Sequence, residues 1–181
     1  VLAATSTCDA DTARVTVQVQ PGPFAGCDGF AAYCLTDAPD PLIGALSCDP
    51  DANGTWYDPV GEVHDGVFQP SVDGPGLYRY VVPAVGDCVA DTAYVTVQVR
   101  QPANAGQNAN VSICSTDGPV DLFSFLGTSA QPGGSWTLNN LPRSGVYNAA
   151  VDGPGNYVYR VQGQVPCPAD VATVNVTEPL A

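Results

Sequence analysis

The sequence predicts an all-β chain built from tandem, disulfide-stapled β-sandwich repeats. Three observations carry this expectation. The chain repeats itself at an interval of about 80 residues, and a run of valines alternating with polar residues closes each copy. Seven cysteines also lie in an acidic sequence with 19 glycines and 17 prolines.

The repeat is read first. Residues 33–99 and 113–176 align almost without gaps. Tyr33-Cys34-Leu35-Thr36-Asp37 corresponds to Ile113-Cys114-Ser115-Thr116-Asp117, and Gly54-Thr55-Trp56 to Gly134-Ser135-Trp136. Asp73-Gly74-Pro75-Gly76 corresponds to Asp152-Gly153-Pro154-Gly155. Tyr78 and Tyr80 match Tyr157 and Tyr159, and Cys88 matches Cys167, each followed closely by Ala-Asp. The offset is 80 at Cys34/Cys114 and 79 at Cys88/Cys167. A third copy is present in part, since Cys8 through Val19 follows the pattern of Cys88 through Val99. The expected organisation is a partial repeat over residues 1–21, a full repeat over 22–102 and a second over 103–181. The chain opens on Val1 and holds no methionine, which reads as a processed chain or an excerpt of a longer one.

Each repeat reads as short strands. Val95, Val97 and Val99 alternate with Thr96, Gln98 and Arg100, a period of two with one apolar face. Val15, Val17 and Val19 do the same, as do Val174 and Val176. Tyr78-Arg79-Tyr80 and Tyr157-Val158-Tyr159 predict a second strand just upstream. Asp73-Gly74-Pro75-Gly76, its copy, and Asp51-Ala52-Asn53-Gly54 are turn signals. No segment carries a 3.6-residue apolar period over three turns, and strands at this spacing suggest a sandwich.

Composition narrows the function classes. The formal net charge is -13, every basic residue is an arginine, and lysine is absent. Such a chain is repelled by nucleic acid and by anionic membrane surfaces. No apolar run reaches the roughly 18 residues of a membrane span. The cysteines point to an oxidising compartment, and no Cys-x-x-Cys pair supports a zinc site.

The repeat alignment suggests how the cysteines pair. Cys34 with Cys88, and Cys114 with Cys167, would each close one repeat over separations of 54 and 53 residues. Cys27 and Cys48 occur only in the first full repeat and are expected to pair locally. Cys8 is left over. It is either an unpaired thiol or part of a segment that completes a sandwich whose other strands lie elsewhere. An isolated hairpin is marginal in water, so the Val15, Val17 and Val19 face favours addition to a neighbouring sheet. Repeated head to tail, that contact with other copies of the chain would build a filament.

The run Ile113-Cys114-Ser115-Thr116-Asp117, the Gly-Gly-Ser-Trp at 133–136, the Asp-Gly-Pro-Gly-Asn-Tyr at 152–157 and Pro166-Cys167-Pro168-Ala169-Asp170 resemble a known repeat. It is similar to the immunoglobulin-like (Ig-like) or PKD-like tandem repeat of large secreted surface proteins of the Bacteroidetes group. The resemblance implies tandem Ig-like sandwiches outside the cell, in a stalk, fibre or adhesin without catalysis. It also implies O-glycosylation at Asp-Thr-Ala sequences, here Thr12 and Thr92. Asn53, Asn110 and Asn175 begin N-x-Ser/Thr sequences.

The remaining candidates are weaker. His64 reads as a solvated loop residue with no nucleophile beside it. Asp37, Asp40, Asp49, Asp51, Asp65 and Asp73 crowd the first full repeat, so calcium is the one metal to consider; aspartates are equally common turn formers. Trp56 and Trp136 read as core residues, with a sugar-stacking platform as the alternative. The expected function is a structural subunit of an extracellular fibre. The alternative is an adhesin or carbohydrate-binding segment.

Overall fold

A computed structural model describes residues 11–179. Each repeat contributes seven strands in the same order. The first holds β1 (Gly29–Cys34), β2 (Asp40–Pro41), β3 (Thr55–Tyr57), β4 (Val63–His64), β5 (Val67–Phe68), β6 (Gly76–Val82) and β7 (Asp91–Arg100). The second holds β8 (Ala109–Ser112), β9 (Val120–Asp121), β10 (Ser135–Leu138), β11 (Leu141–Arg143), β12 (Val146–Tyr147), β13 (Gly155–Val161) and β14 (Asp170–Thr177). A single 3-10 turn follows β2 at Leu42–Ala45 and β9 at Leu122–Phe125.

The main sheet of the first repeat runs β1-β7-β6-β3-β4, and that of the second β8-β14-β13-β10-β11. The short pairs β2–β5 and β9–β12 form the facing layers. All pairings are antiparallel except β1 with β7 and β8 with β14, which are parallel. The period-two pattern sets which side faces in. On β7, Ala93, Val95 and Val97 are buried while Thr92, Tyr94 and Thr96 face solvent.

Each repeat has its own core. Trp56 and Trp136 are 6% and 7% exposed, so both are core residues rather than surface platforms. Each packs on a tyrosine, Tyr80 or Tyr159, with ring centroids 4.9 Å apart. The tyrosine hydroxyls close the upstream turn. Tyr80 Oη donates to the Asp51 carbonyl and accepts the Gly54 N–H, and Tyr159 Oη does the same with Gln131 and Gly134. Two residues earlier, Tyr78 and Tyr157 donate to the Gly74 and Gly153 carbonyls, both at 2.9 Å. This is the tyrosine-corner arrangement of Ig-like sandwiches. The tyrosine two positions on stands where an antibody domain would place its central cysteine.

His64 corrects an expectation. It lies on β4 opposite Trp56 with its side chain 12% exposed, not in a solvated loop. Its Nδ1 accepts the Gly66 N–H at 3.0 Å, its Nε2 lies 3.4 Å from Asp73, and its ring meets Tyr78 edge-on. The polar residues around it disguise a short edge strand.

Candidate functional site

Two features stand apart from the sandwiches themselves: the leading segment and the cysteines at the repeat ends. Residues 12–20 form no strand. Val15, Val17 and Val19 are 86%, 77% and 89% exposed, whereas Val95 and Val97, the equivalents of the first two, are 0% and 2%, and Val99, the equivalent of the third, is half-buried. Hydrogen bonding to the first repeat begins at residues 24–28. There the Phe24 and Ala25 N–H groups bond the carboxylates of Asp51 and Asp91, and Asp28 accepts the Tyr94 N–H. The second repeat copies this entry with Ala105 bonded to Asp170 and Asn108 accepting from Thr173. Thr12 and Thr92 are both solvent-exposed. Cys8 lies outside the described residues.

The cysteine pairing differs from expectation. Cys27 is bonded to Cys48, joining the segment before β1 to the segment after the 3-10 turn. Cys34, however, is bonded to Cys167 of the next repeat, 133 residues away, while Cys88 and Cys114 are free. The physical reason is the parallel pairing of β1 with β7. It sets Cys34 beside Arg100, at the far end of β7. Cys88 precedes the near end. β7 runs ten residues, a span of about 30 Å. A disulfide requires Cα atoms within roughly 7 Å, so Cys34 cannot reach Cys88. Instead it reaches the hairpin of the following repeat, where Cys167 Sγ lies 3.4 Å from the Arg100 carbonyl oxygen. Both bridged sulfurs are buried, Cys34 at 0% and Cys167 at 4% exposure.

This bridge joins two units whose buried clusters share no residue. Beside it a cleft of about 520 Å³ opens between Arg100, Gln101, Pro102, Gln131, Val161 and Gln164. The junction is held by the linker and the disulfide rather than by a continuous apolar core.

Of the six aspartates that suggest calcium, five accept local hydrogen bonds, and Asp49 is exposed. Asp37 accepts the Cys34 N–H, Asp40 the Tyr33 hydroxyl, Asp51 the Phe24 N–H, Asp65 the Val67 N–H and Asp73 the Gln69 N–H. Among the described residues no three acidic, His or Cys side chains gather as a metal site. The carboxylates do perturb nearby tyrosines. Burial, then the hydrogen bond to Asp40, pushes the Tyr33 hydroxyl up to about 12. Burial, then the charges of Asp73 and Asp58, does the same to Tyr78, also to about 12. Tyr147 is raised by burial and by its bond to Glu178.

No family model matches the chain, and no curated protein matches it. Solved structures do. An I-band fragment of titin superposes with a TM-score of 0.54 at 14% identity, covering 88% of this chain and 66% of that one. A variant of the same three-Ig titin segment, with glutamate-to-alanine change, gives the same values. At that identity the likeness concerns the fold. The chain is an all-β tandem of Ig-like sandwiches, with two disulfides among the described residues.

Proposed function

We propose that the chain is a structural segment of an extracellular fibre or stalk on a bacterial surface, joined end to end through residues 11–20. The observation that carries this reading is the bare Val15, Val17 and Val19 face. The same pattern in β7 is buried between β1 and β6. A strand edge left unpaired invites pairing with a neighbour, and its apolar face gains by burial there. The leading segment adds as a strand to an open sheet edge of the neighbouring unit, whose main sheets end at β4 and β11. Such a contact is heterologous and propagates into a filament. Disulfides in a lysine-free acidic chain suit an oxidising exterior. Glycans on the exposed Thr12 and Thr92 would hydrate the fibre. The role in this reading is non-catalytic, with the single His64 packed edge-on against Tyr78 and holding the Gly66 N–H.

Electron microscopy of the full chain beside Val17→Asp tests this reading. Val17 contacts neither core, so the substitution leaves both sandwiches folded. Filaments from the parent chain and dispersed particles from the variant are expected. Dispersed parent chains contradict the assembly. If these also bound a glycan selectively, the adhesin reading would replace it.

A further inference from the structure

The two free cysteines occupy the same two positions as the bonded pair. Cys88 is the repeat equivalent of Cys167, and Cys114 that of Cys34. Their local geometry is copied as well. The Cys114 N–H bonds Asp117 at 2.8 Å as the Cys34 N–H bonds Asp37 at 2.7 Å. On the other side, Gln20 is the equivalent of Arg100. A Cβ on Gly86, in the Cys88 hairpin, would meet Gln20 Oε1 at 3.0 Å, and one on Gly22 would meet Cys88 Sγ at 3.8 Å. The leading segment therefore passes Cys88 as the end of β7 passes Cys167.

We infer that Cys88 and Cys114 are the unfinished halves of a repeating disulfide ladder, each made to bond an adjoining repeat of this same kind. Cys88 takes the β1-end cysteine of a preceding repeat. Cys114 takes the hairpin cysteine of a following one. The occupant follows from the register. In the first repeat Cys34 lies beside Arg100 on β7, so the repeat whose last strand is residues 11–20 presents its own β1-end cysteine beside Gln20. Each rung forms by thiol–disulfide exchange with a small disulfide oxidant. One thiolate attacks glutathione disulfide and releases a glutathione thiolate. The second cysteine's thiolate then displaces the other glutathione. Two protein thiols are oxidised and one glutathione disulfide is reduced to two glutathiones. The ladder requires only that repeats follow one another, and it holds whether or not residues 11–20 add to a separate chain.

The test extends the full chain in line. A second copy beginning at Pro21 is appended after Pro179. Cys114 and the appended Cys88 then lie the same 133 positions apart as Cys34 and Cys167. The product is oxidised in glutathione buffer, alkylated and mapped by non-reducing peptide mass spectrometry. The expected map contains a Cys114 to appended-Cys88 bond, formed as completely as Cys34–Cys167 in the same molecules. Cys8, the first Cys88 and the appended Cys114 stay alkylated. Alkylated Cys114 beside an intact Cys34–Cys167 bond overturns the ladder. So does Cys114 bonded to any other cysteine. Absence of Cys34–Cys167 itself removes the template and overturns it equally. Failure of the fibre reading changes none of these peptides.

Discussion

Residues 11–20 and β7 have nearly the same sequence pattern and opposite fates. In β7, Val95 and Val97 are sealed between two strands and a facing layer. In the leading segment Val15 and Val17 stand in solvent. Alternation therefore specifies a face and not a partner. β7 is a strand because β1 and β6 flank it with hydrogen-bonding edges. The leading segment has the same capacity with no flanking strand among the described residues of its own chain.

Charge insertion is the strongest way to break the comparison. Val95→Asp puts an unpaired carboxylate in the first core and should cost more than about 4 kcal/mol. Val15→Asp should change the stability of the dispersed chain by no more than about 0.5 kcal/mol. Calorimetry should show loss of the first-repeat transition in Val95→Asp alone, with the second retained. Equal effects would mean that residues 11–20 already pack on their own chain.

The next test concerns how the entry to each repeat is anchored. In the first repeat the Cys27 N–H bonds the Ser47 carbonyl and a disulfide backs the contact. In the second, the Gln107 N–H bonds the Leu126 carbonyl alone. Replacing Cys27 and Cys48 together by serine should destabilise the first repeat by about 3 kcal/mol on the loop-entropy model. Denaturant titration should leave the second repeat's midpoint unmoved.

A smaller and symmetric effect is expected at the tyrosines. Tyr80→Phe and Tyr159→Phe each leave a turn N–H and a carbonyl without their hydroxyl partner, at Gly54 and Asp51 or Gly134 and Gln131. Each should cost about 1–3 kcal/mol in its own repeat. A cost confined to one repeat would show that the two cores are not equivalent.

The smallest effect appears in alkali. Tyr33 and Tyr78 titrate near 12 when folded, against an ordinary value of 10.0. Their raised values mean that unfolded tyrosine loses its proton first as pH rises. Stability of the first repeat should be unaffected by these groups below pH 10.0 and fall between there and about 12. Tyr33→Phe should flatten that decline in pH-dependent unfolding.

Much of the fold was legible because it is written locally. The valine alternation, the Asp-Gly-Pro-Gly turns and the repeated Trp and Tyr positions each depend on near neighbours. At His64 two residues of edge strand leave no periodicity to detect. The cysteine pairing is hidden for a different reason. A repeat alignment establishes which residues are equivalent, but an equivalent cysteine can belong to the same copy or to the next. The deciding fact is the parallel placement of β1 against β7, which carries Cys34 to the end facing the following repeat. No local signal in the sequence encodes that choice.

Everything about the junction depends on which cysteine Cys34 meets. Non-reducing peptide mapping of the oxidised chain answers this directly. Cys27–Cys48 and Cys34–Cys167 peptides are expected, with Cys88 and Cys114 recovered as alkylated thiols. Recovery of Cys34–Cys88 together with Cys114–Cys167 would overturn the bridge between repeats. Each repeat would then be closed on itself, and the covalent link between successive repeats would be lost.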